Sequence, residues 1–390
     1  MLSTLRSFEL HKLLGLTGSS SNDSTTTTTT ITTTAASAAP QPKAQQQPQP
    51  AYPSESEDMA RDRRRFPSLA ATTDTASPSP SAFAPEIHPA ADRVSREVAE
   101  AFLARWPFRG EAERRRFRAA DFPRVTCLYF PHARAERIGF ACRLLTLLFL
   151  VDDLLEEMGL EEGSAYNERL ISISKGDEEP EPDKPAEVLT RELWEDMRAC
   201  DARLAGEIKE PVFTFMRAQT DGSRLTLREL GAYFEYREKD VGQALLSALM
   251  RFSMALHLTP AQLRLAQPLE RNCARHISVV NDIYSWRKEV RASETLHEEG
   301  AALCSSVAVL AAEASVPASG ARRVLWALCR EWEAEHRRME GDLLRRLVEE
   351  EEEEGDQGGQ VLRVYVRGLE SQMSGNERWS ESTPRYHKVK

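Results

Sequence analysis

Residues 140–157 read Phe-Ala-Cys-Arg-Leu-Leu-Thr-Leu-Leu-Phe-Leu-Val-Asp-Asp-Leu-Leu-Glu-Glu, an almost unbroken apolar run that ends in four acids within six positions. The run carries no strand alternation, and it is far shorter than the ~20 apolar residues that a membrane span requires. It is therefore read as a buried helix whose last turn is acidic. Asp152 and Glu156 are four apart and share a face, at the mouth of what would otherwise be an apolar pocket. Like charges held that close repel, and such a cluster usually needs a cation. Hard carboxylate oxygens suit Mg2+, which keeps waters and takes further ligands from phosphate. Taken alone, the same stretch also fits an acidic helix end facing water.

Outward from this stretch, apolar residues from Val94 onward recur at helical spacing, as in Val98, Ala101, Phe102 and Trp106, and again in Leu245, Leu249, Phe252 and Leu256. No segment shows sustained alternation with hairpin turns, so the fold class is all-α. Punctuation falls at Pro107–Gly110, Phe130–His132, Ser174–Pro185, Leu258–Pro260 and Gly355–Gly359 without dividing the region into parts of different composition. Ser19–Pro85 is dominated by Ser, Thr, Pro, Gln and Ala and lacks the large apolar residues that offset ordering entropy. Residues 1–88 are accordingly expected to be a disordered low-complexity tail, and residues 89–390 one helical domain.

Met1–Leu16 is interrupted by Glu9 and is a poor secretory h-region. Six cysteines without ligand spacing suggest neither a zinc site nor a disulfide framework, and fit reduced thiols in a soluble cytoplasmic protein. The net charge of -10 is concentrated in Asp177–Glu187 and Glu349–Glu354, both expected to be solvated. No basic stripe balances them, so nucleic acid is excluded as a partner, and no membrane span is expected.

A second polar site lies in Asn281-Asp-Ile-Tyr-Ser-Trp-Arg-Lys-Glu289. Asn281, Ser285 and Glu289 recur every four residues along one helical face over ~12 Å. An amide, a hydroxyl and a carboxylate in a line chelate a single divalent ion; the competing reading is a polar stripe on an exposed helix. Two such sites on separate apolar helices imply a diphosphate held between them, because bridging metals neutralise both the ligands and a leaving group.

At these residues the chain resembles the class I terpene synthases, most closely the fungal and microbial single-domain sesquiterpene cyclases. Asp152 to Glu156 resembles the aspartate-rich DDxx(D/E) motif, and Asn281 to Glu289 resembles (N/D)DxxSxxxE. Arg237, 44 residues before Asn281, stands where the family has its diphosphate-sensing arginine. Asp240 then resembles the linker acid and Val241 the effector, which acts through its carbonyl. Arg385 and Tyr386 resemble the RY pair that binds diphosphate on closure, and Lys288 the lysine that reaches the phosphate. Arginine suits phosphate because its planar fork donates two parallel bonds and stays charged when dry. Carbocation chemistry needs a water-free pocket with aromatic faces, and Phe149 and Trp379 stand where the family often has them. Tyr129, Phe122, Tyr233 and Tyr284 are weaker candidates.

The resemblance covers Ala90 to Tyr386. It implies a helical bundle around a central apolar cavity that turns farnesyl diphosphate into a sesquiterpene hydrocarbon or alcohol, a carbon-oxygen lyase reaction. It further implies three Mg2+ ions, with Mn2+ a possible substitute, and a monomer or homodimer. Asp152 would bind two metals, with Asp153 and Glu156 in support; Asn281, Ser285 and Glu289 would hold the third. Two alternatives stay open at this point. A chain-elongating prenyl diphosphate synthase shares the metal logic but has two aspartate-rich motifs, and a non-catalytic helical interaction protein would leave these carboxylates solvated.

Overall fold

The computed structural model describes residues 79–296, 298–354 and 358–386. Residues 1–78, the greater part of the expected tail, lie outside the described residues. The order is α1 (Ala91–Arg105), α2 (Glu111–Ala120), α3 (Phe122–Tyr129), α4 (Ile138–Leu155), α5 (Leu160–Lys175), α6 (Pro185–Cys200), α7 (Ala202–Gln219), α8 (Leu230–Asp240) and α9 (Gln243–Met254). It continues with α10 (Pro260–Thr295), α11 (Ser306–Glu313), α12 (Ala318–Glu354) and α13 (Gly358–Ser382), with single 3-10 turns at Gly222–Leu225 and Glu299–Ala301. No strand occurs among the described residues. None of their helices is long and apolar enough to cross a membrane.

Local chemistry sets the helix ends. Asp201 caps α7 by accepting from the Leu204 backbone N–H at 3.0 Å, and Thr259 with Gln262 forms a reciprocal capping box behind Pro260 at the start of α10. Between α8 and α9, Gly242 takes φ 74°, a conformation that costs glycine nothing. That break leaves Val241 between two helices instead of inside one.

Packing places the two acidic helices opposite each other. α4 lies against α1, α3, α6 and α9, and α10 lies against α8, α9, α12 and α13. α9 therefore touches both, and the contact of α3 with α13 completes the ring. Val151, Leu144, Leu249, Phe252, Leu269 and Tyr365 are among the fully buried side chains, each contributing about 1.5–3 kcal/mol by leaving water.

Two expectations change. Residues 79–88 were assigned to the tail, yet they lie on the bundle. Phe83 and His88 are buried, Glu333 accepts from Ser81 Oγ at 2.9 Å and from the Ala82 N–H at 2.7 Å, and His88 Nε2 meets the Ala133 carbonyl at 3.0 Å. One aromatic anchor and a buried carboxylate overcome a composition that by itself predicts disorder. The patch Asp177–Glu187 is not wholly solvated either. Glu187 is 2% exposed, since Arg169 neutralises it at 2.8 Å and the Glu181 N–H donates to it at 3.0 Å.

The same region generates a pH dependence. His336 is fully buried, with the Phe83 ring edge-on at 5.9 Å and Asn272 Nδ2 at 3.4 Å. Burial, reinforced by His276, pushes its imidazolium down to about 3. The unfolded chain takes up that proton near pH 6.5 whereas the fold refuses it. Stability is thus complete above about pH 6.5 and falls by ~1.4 kcal/mol per unit as pH drops towards the folded value. Urea denaturation at pH 7.5 and 5.5 should show this loss, and His336→Asn should flatten it; parallel losses in both proteins would contradict the assignment.

Candidate active site

The surface of one cavity carries Asp152 from α4 and Glu156 at its C-terminal cap, Asn281 and Glu289 from α10, and Arg237, Asp240 and Val241 from α8 and its end. Its deeper wall is apolar, with Tyr129, Leu145, Leu148, Phe149, Phe215, Leu245, Leu246 and Ile277. Charge gathers at one end of a hydrophobic hollow.

At that end and in the cleft beside it, cations and acids neutralise one another. Arg385 donates to Asp153 at 2.9 Å and lies 4.0 Å from Asp152. Lys288 pairs with Glu156 at 3.4 Å. Arg237 binds Asp240, Asn281 Oδ1 at 3.1 Å and Asp282 at 3.3 Å. Tyr386 Oη accepts from the Asn281 amide at 2.7 Å, and Ser285 Oγ donates to Glu289 at 2.6 Å. Of the second motif, Ser285 and Glu289 are thus in contact, Asn281 and Glu289 line the cavity, and Ser285 lies behind its surface.

Burial works against every charge here. It would raise the Asp153 carboxyl pKa, but Arg385 above all, with Lys288, holds it below the usual carboxylate range. Burial with the repulsion of Asp282 raises that of Glu289, against the opposing pull of Ser285, Lys288 and Arg237. Lys288 is pushed down to about 7 by burial and by the charge of Arg385. Arg237 resists the same desolvation and stays cationic beside Tyr233, Asp240 and Asp282.

Other sequence candidates sit at different depths. Asp153 faces a neighbouring cleft with Arg385, Phe122 and Glu157. Trp379 is not part of the cavity surface; its ring lies 6.0 Å behind Phe149 and 5.6 Å from Tyr386, and its indole N–H donates to the Ala120 carbonyl at 3.3 Å. Phe122 stacks on Phe149 at 4.5 Å and lies under Arg385. Tyr129 lines the cavity and donates to Asn376 at 2.9 Å. Tyr233 is buried and donates to Asp282, while Tyr284 packs on Trp326, outside the cavity surface. Asp282, the second residue of its motif, is fully buried and also accepts from the Ser306 N–H at 2.8 Å.

Lining residues that the sequence pattern does not single out include Phe215, Gln219, Arg224 and Asn376. Gln219 Nε2 donates to Asp152 Oδ1 at 2.8 Å. The signal was available, since Val212, Phe215, Met216 and Gln219 form one stripe on α7 in which an amide interrupts apolar residues. The loop after α10 also reaches the cavity at Gly300, Ala301 and Ala302.

Comparison with known proteins supplies an independent line. The family model described as terpene synthase family 2, C-terminal metal binding, matches residues 143–335. The (+)-aristolochene synthase TS1 of Penicillium expansum is 55% identical over 305 residues, spanning 78% of this chain and 89% of the relative. Aristolochene synthase of Aspergillus terreus is 54% identical over 312 residues, 80% and 95% of the two chains. The crystal structure of aristolochene synthase from Penicillium roqueforti superposes with TM-score 0.67 at 49% identity, covering 79% of this chain and 100% of that one.

The mouth loop rests on a close backbone approach. A Cβ at Gly300 would lie 2.1 Å from the Leu155 carbonyl oxygen and 2.8 Å from that of Met158, and the Gly300 N–H donates to Met158 at 3.2 Å. Gly300→Ala should therefore unseat the loop at a cost of ~1–3 kcal/mol, seen as a lower denaturation midpoint and faster proteolysis within residues 298–305. Unchanged values for both would show that the loop is not held there.

Proposed function

The chain belongs to the class I terpene synthases, and from that premise we propose that it converts farnesyl diphosphate to the sesquiterpene aristolochene. The reading rests on one observation above the rest: acids from α4 and α10 line a single cavity whose far wall is apolar and aromatic. Support for the product comes from the aristolochene synthases that are 54–55% identical along nearly their whole length. An aqueous cytoplasmic setting, as monomer or homodimer, completes the proposal.

Donor chemistry supports divalent metal: Asn281 and Glu289 line the cavity, Ser285 touches Glu289, and amide, hydroxyl and carboxylate oxygens suit a hard cation. We assign Asp152, with Asp153 and Glu156 in support, to two Mg2+ ions and the Asn281 triad to a third, Mn2+ being a substitute. Bound there, the ions supply Lewis acidity that makes diphosphate a competent leaving group.

The residues of the chain do the remainder. Arg237, Lys288, Arg385 and Tyr386 bind the diphosphate through charge-assisted hydrogen bonds. In the structure three of these cations are paired with Asp240, Glu156 and Asp153. On substrate binding these cations would turn to phosphate oxygens, leaving Asp153 and Glu156 free to support the ions. Asp240 couples Arg237 to the helix break, so that movement of the arginine is passed to the Val241 carbonyl. Phe149, Phe215 and Tyr129 present ring faces to the carbocation, each worth about 0.5–2 kcal/mol when water is excluded. Trp379 acts through Phe149, holding its ring in place.

With farnesyl diphosphate and Mg2+, gas chromatography with mass spectrometry should show one dominant C15 hydrocarbon and equimolar diphosphate. Glu289→Gln should lower kcat by roughly 10–100-fold. Mg2+ and inorganic diphosphate together should raise the melting temperature by more than their separate effects summed. Consumption of a C20 but not a C15 diphosphate, or strictly additive shifts, would overturn the proposal.

A further inference from the structure

Arg224 belongs to none of the motifs above, yet it lines the charged end of the cavity beside Asp152, Gln219 and Asp240. It is carried by the 3-10 turn Gly222–Leu225, whose preceding Asp221 accepts from the Ser223 N–H at 2.8 Å and turns the chain inward. The guanidinium is satisfied on one side only. Nη1 donates to the Gln219 carbonyl at 2.8 Å, Nη2 reaches the Ala302 carbonyl at a long 3.5 Å, and the buried Nε has no hydrogen-bond partner. Arg224 forms no ion pair with any described residue, and the acids whose charge reaches it are Asp240 and Asp152.

A half-buried guanidinium held by two carbonyl contacts, with its acids near but unpaired, keeps donors that an anion would satisfy. The geometry says where one would bind. Nη1 fixes the group to the backbone, while Nε and Nη2 form the side edge of the fork, the pair that grips an oxyanion with two parallel bonds. That edge is the underused one, and it belongs to a residue of the cavity wall.

We propose that Arg224 is a further diphosphate-binding residue, donating through its Nε/Nη2 edge to the anion that Arg237, Lys288 and Arg385 also hold. The inference rests on the functional reading above and deepens it. Arg224 also ties the end of α7 to the loop after α10, so anion capture and closure of the mouth act through one side chain. Because the Gln219 carbonyl is its anchor, the same contact steadies the Gln219 amide on Asp152.

Calorimetric titration of inorganic diphosphate in the presence of Mg2+ tests this on the full chain. Arg224→Gln, which keeps a donor but no charge, should weaken binding roughly tenfold or more, and Arg224→Lys should recover part of the loss. Arg228→Met is the control, since Arg228 is exposed and donates only to the Leu225 and Leu227 carbonyls; it should bind as the wild type does. A wild type that binds while Arg224→Gln binds equally tightly reduces Arg224 to a loop clasp and overturns the inference alone. A wild type that binds no magnesium diphosphate overturns the functional reading with it. Should Arg224→Gln fail to fold by circular dichroism, Arg224→Met and Arg224→Lys carry the comparison, and equal affinity in these two would also overturn it.

Discussion

Charge confined in a dry cleft is the constraint on which the rest of the structure depends. At the mouth of the cavity and in the cleft beside it, Asp153 and Glu156 pair with Arg385 and Lys288, and Arg237 is buried against Asp240 and Asp282. Breaking one such buried pair by removing a partner typically costs 3–5 kcal/mol, because a lone charge is left behind. The ordered state is tolerable because acids and bases cancel. Under the proposed function that cancellation is provisional: a magnesium diphosphate would bring both signs of charge at once, phosphate for the cations and metal for Asp152, Asp153 and Glu156.

The helices serve this trade by fixing where the groups stand. α9 touches both acidic helices, Gly242 interrupts the chain beside Arg237, and Asp282 ties Tyr233, Arg237 and the Ser306 N–H to the middle of α10. Gln219 does the same for Asp152 from the opposite wall. The remaining surface is mostly apolar and aromatic, interrupted by Cys304 and by the Tyr129–Asn376 hydrogen bond. Such a wall excludes nucleophiles and offers ring faces to positive charge.

How much of this was legible in the sequence follows from how local each signal is. The acids at 152–156 and the triad at 281–289 are spaced by helical geometry alone, so their shared faces could be read directly, and the helix punctuation at Pro107–Gly110 and Leu258–Pro260 marked true helix ends. The cavity's second wall was not readable in the same way. Gln219, Arg224 and Asn376 are single polar residues whose meaning comes from tertiary neighbours, Asp152, Ala302 and Tyr129. Residues 79–88 show the opposite failure, where low-complexity composition hid one aromatic anchor, Phe83, and the carboxylate of Glu333 that binds the Ala82 N–H from 251 positions away. Trp379 stood in the right sequence context, but periodicity does not tell a wall residue from the one supporting it.

The claim that cations and acids exchange partners is tested most directly by a crystal structure of the full chain grown with Mn2+ and inorganic diphosphate, using the manganese anomalous signal. The account predicts anomalous peaks beside Asp152 and within the Asn281–Ser285–Glu289 triad, with the guanidinium of Arg385 moved from Asp153 to a phosphate oxygen. Diphosphate bound while Arg385 stays on Asp153 and Lys288 on Glu156, or manganese on acids away from this cavity, would contradict it.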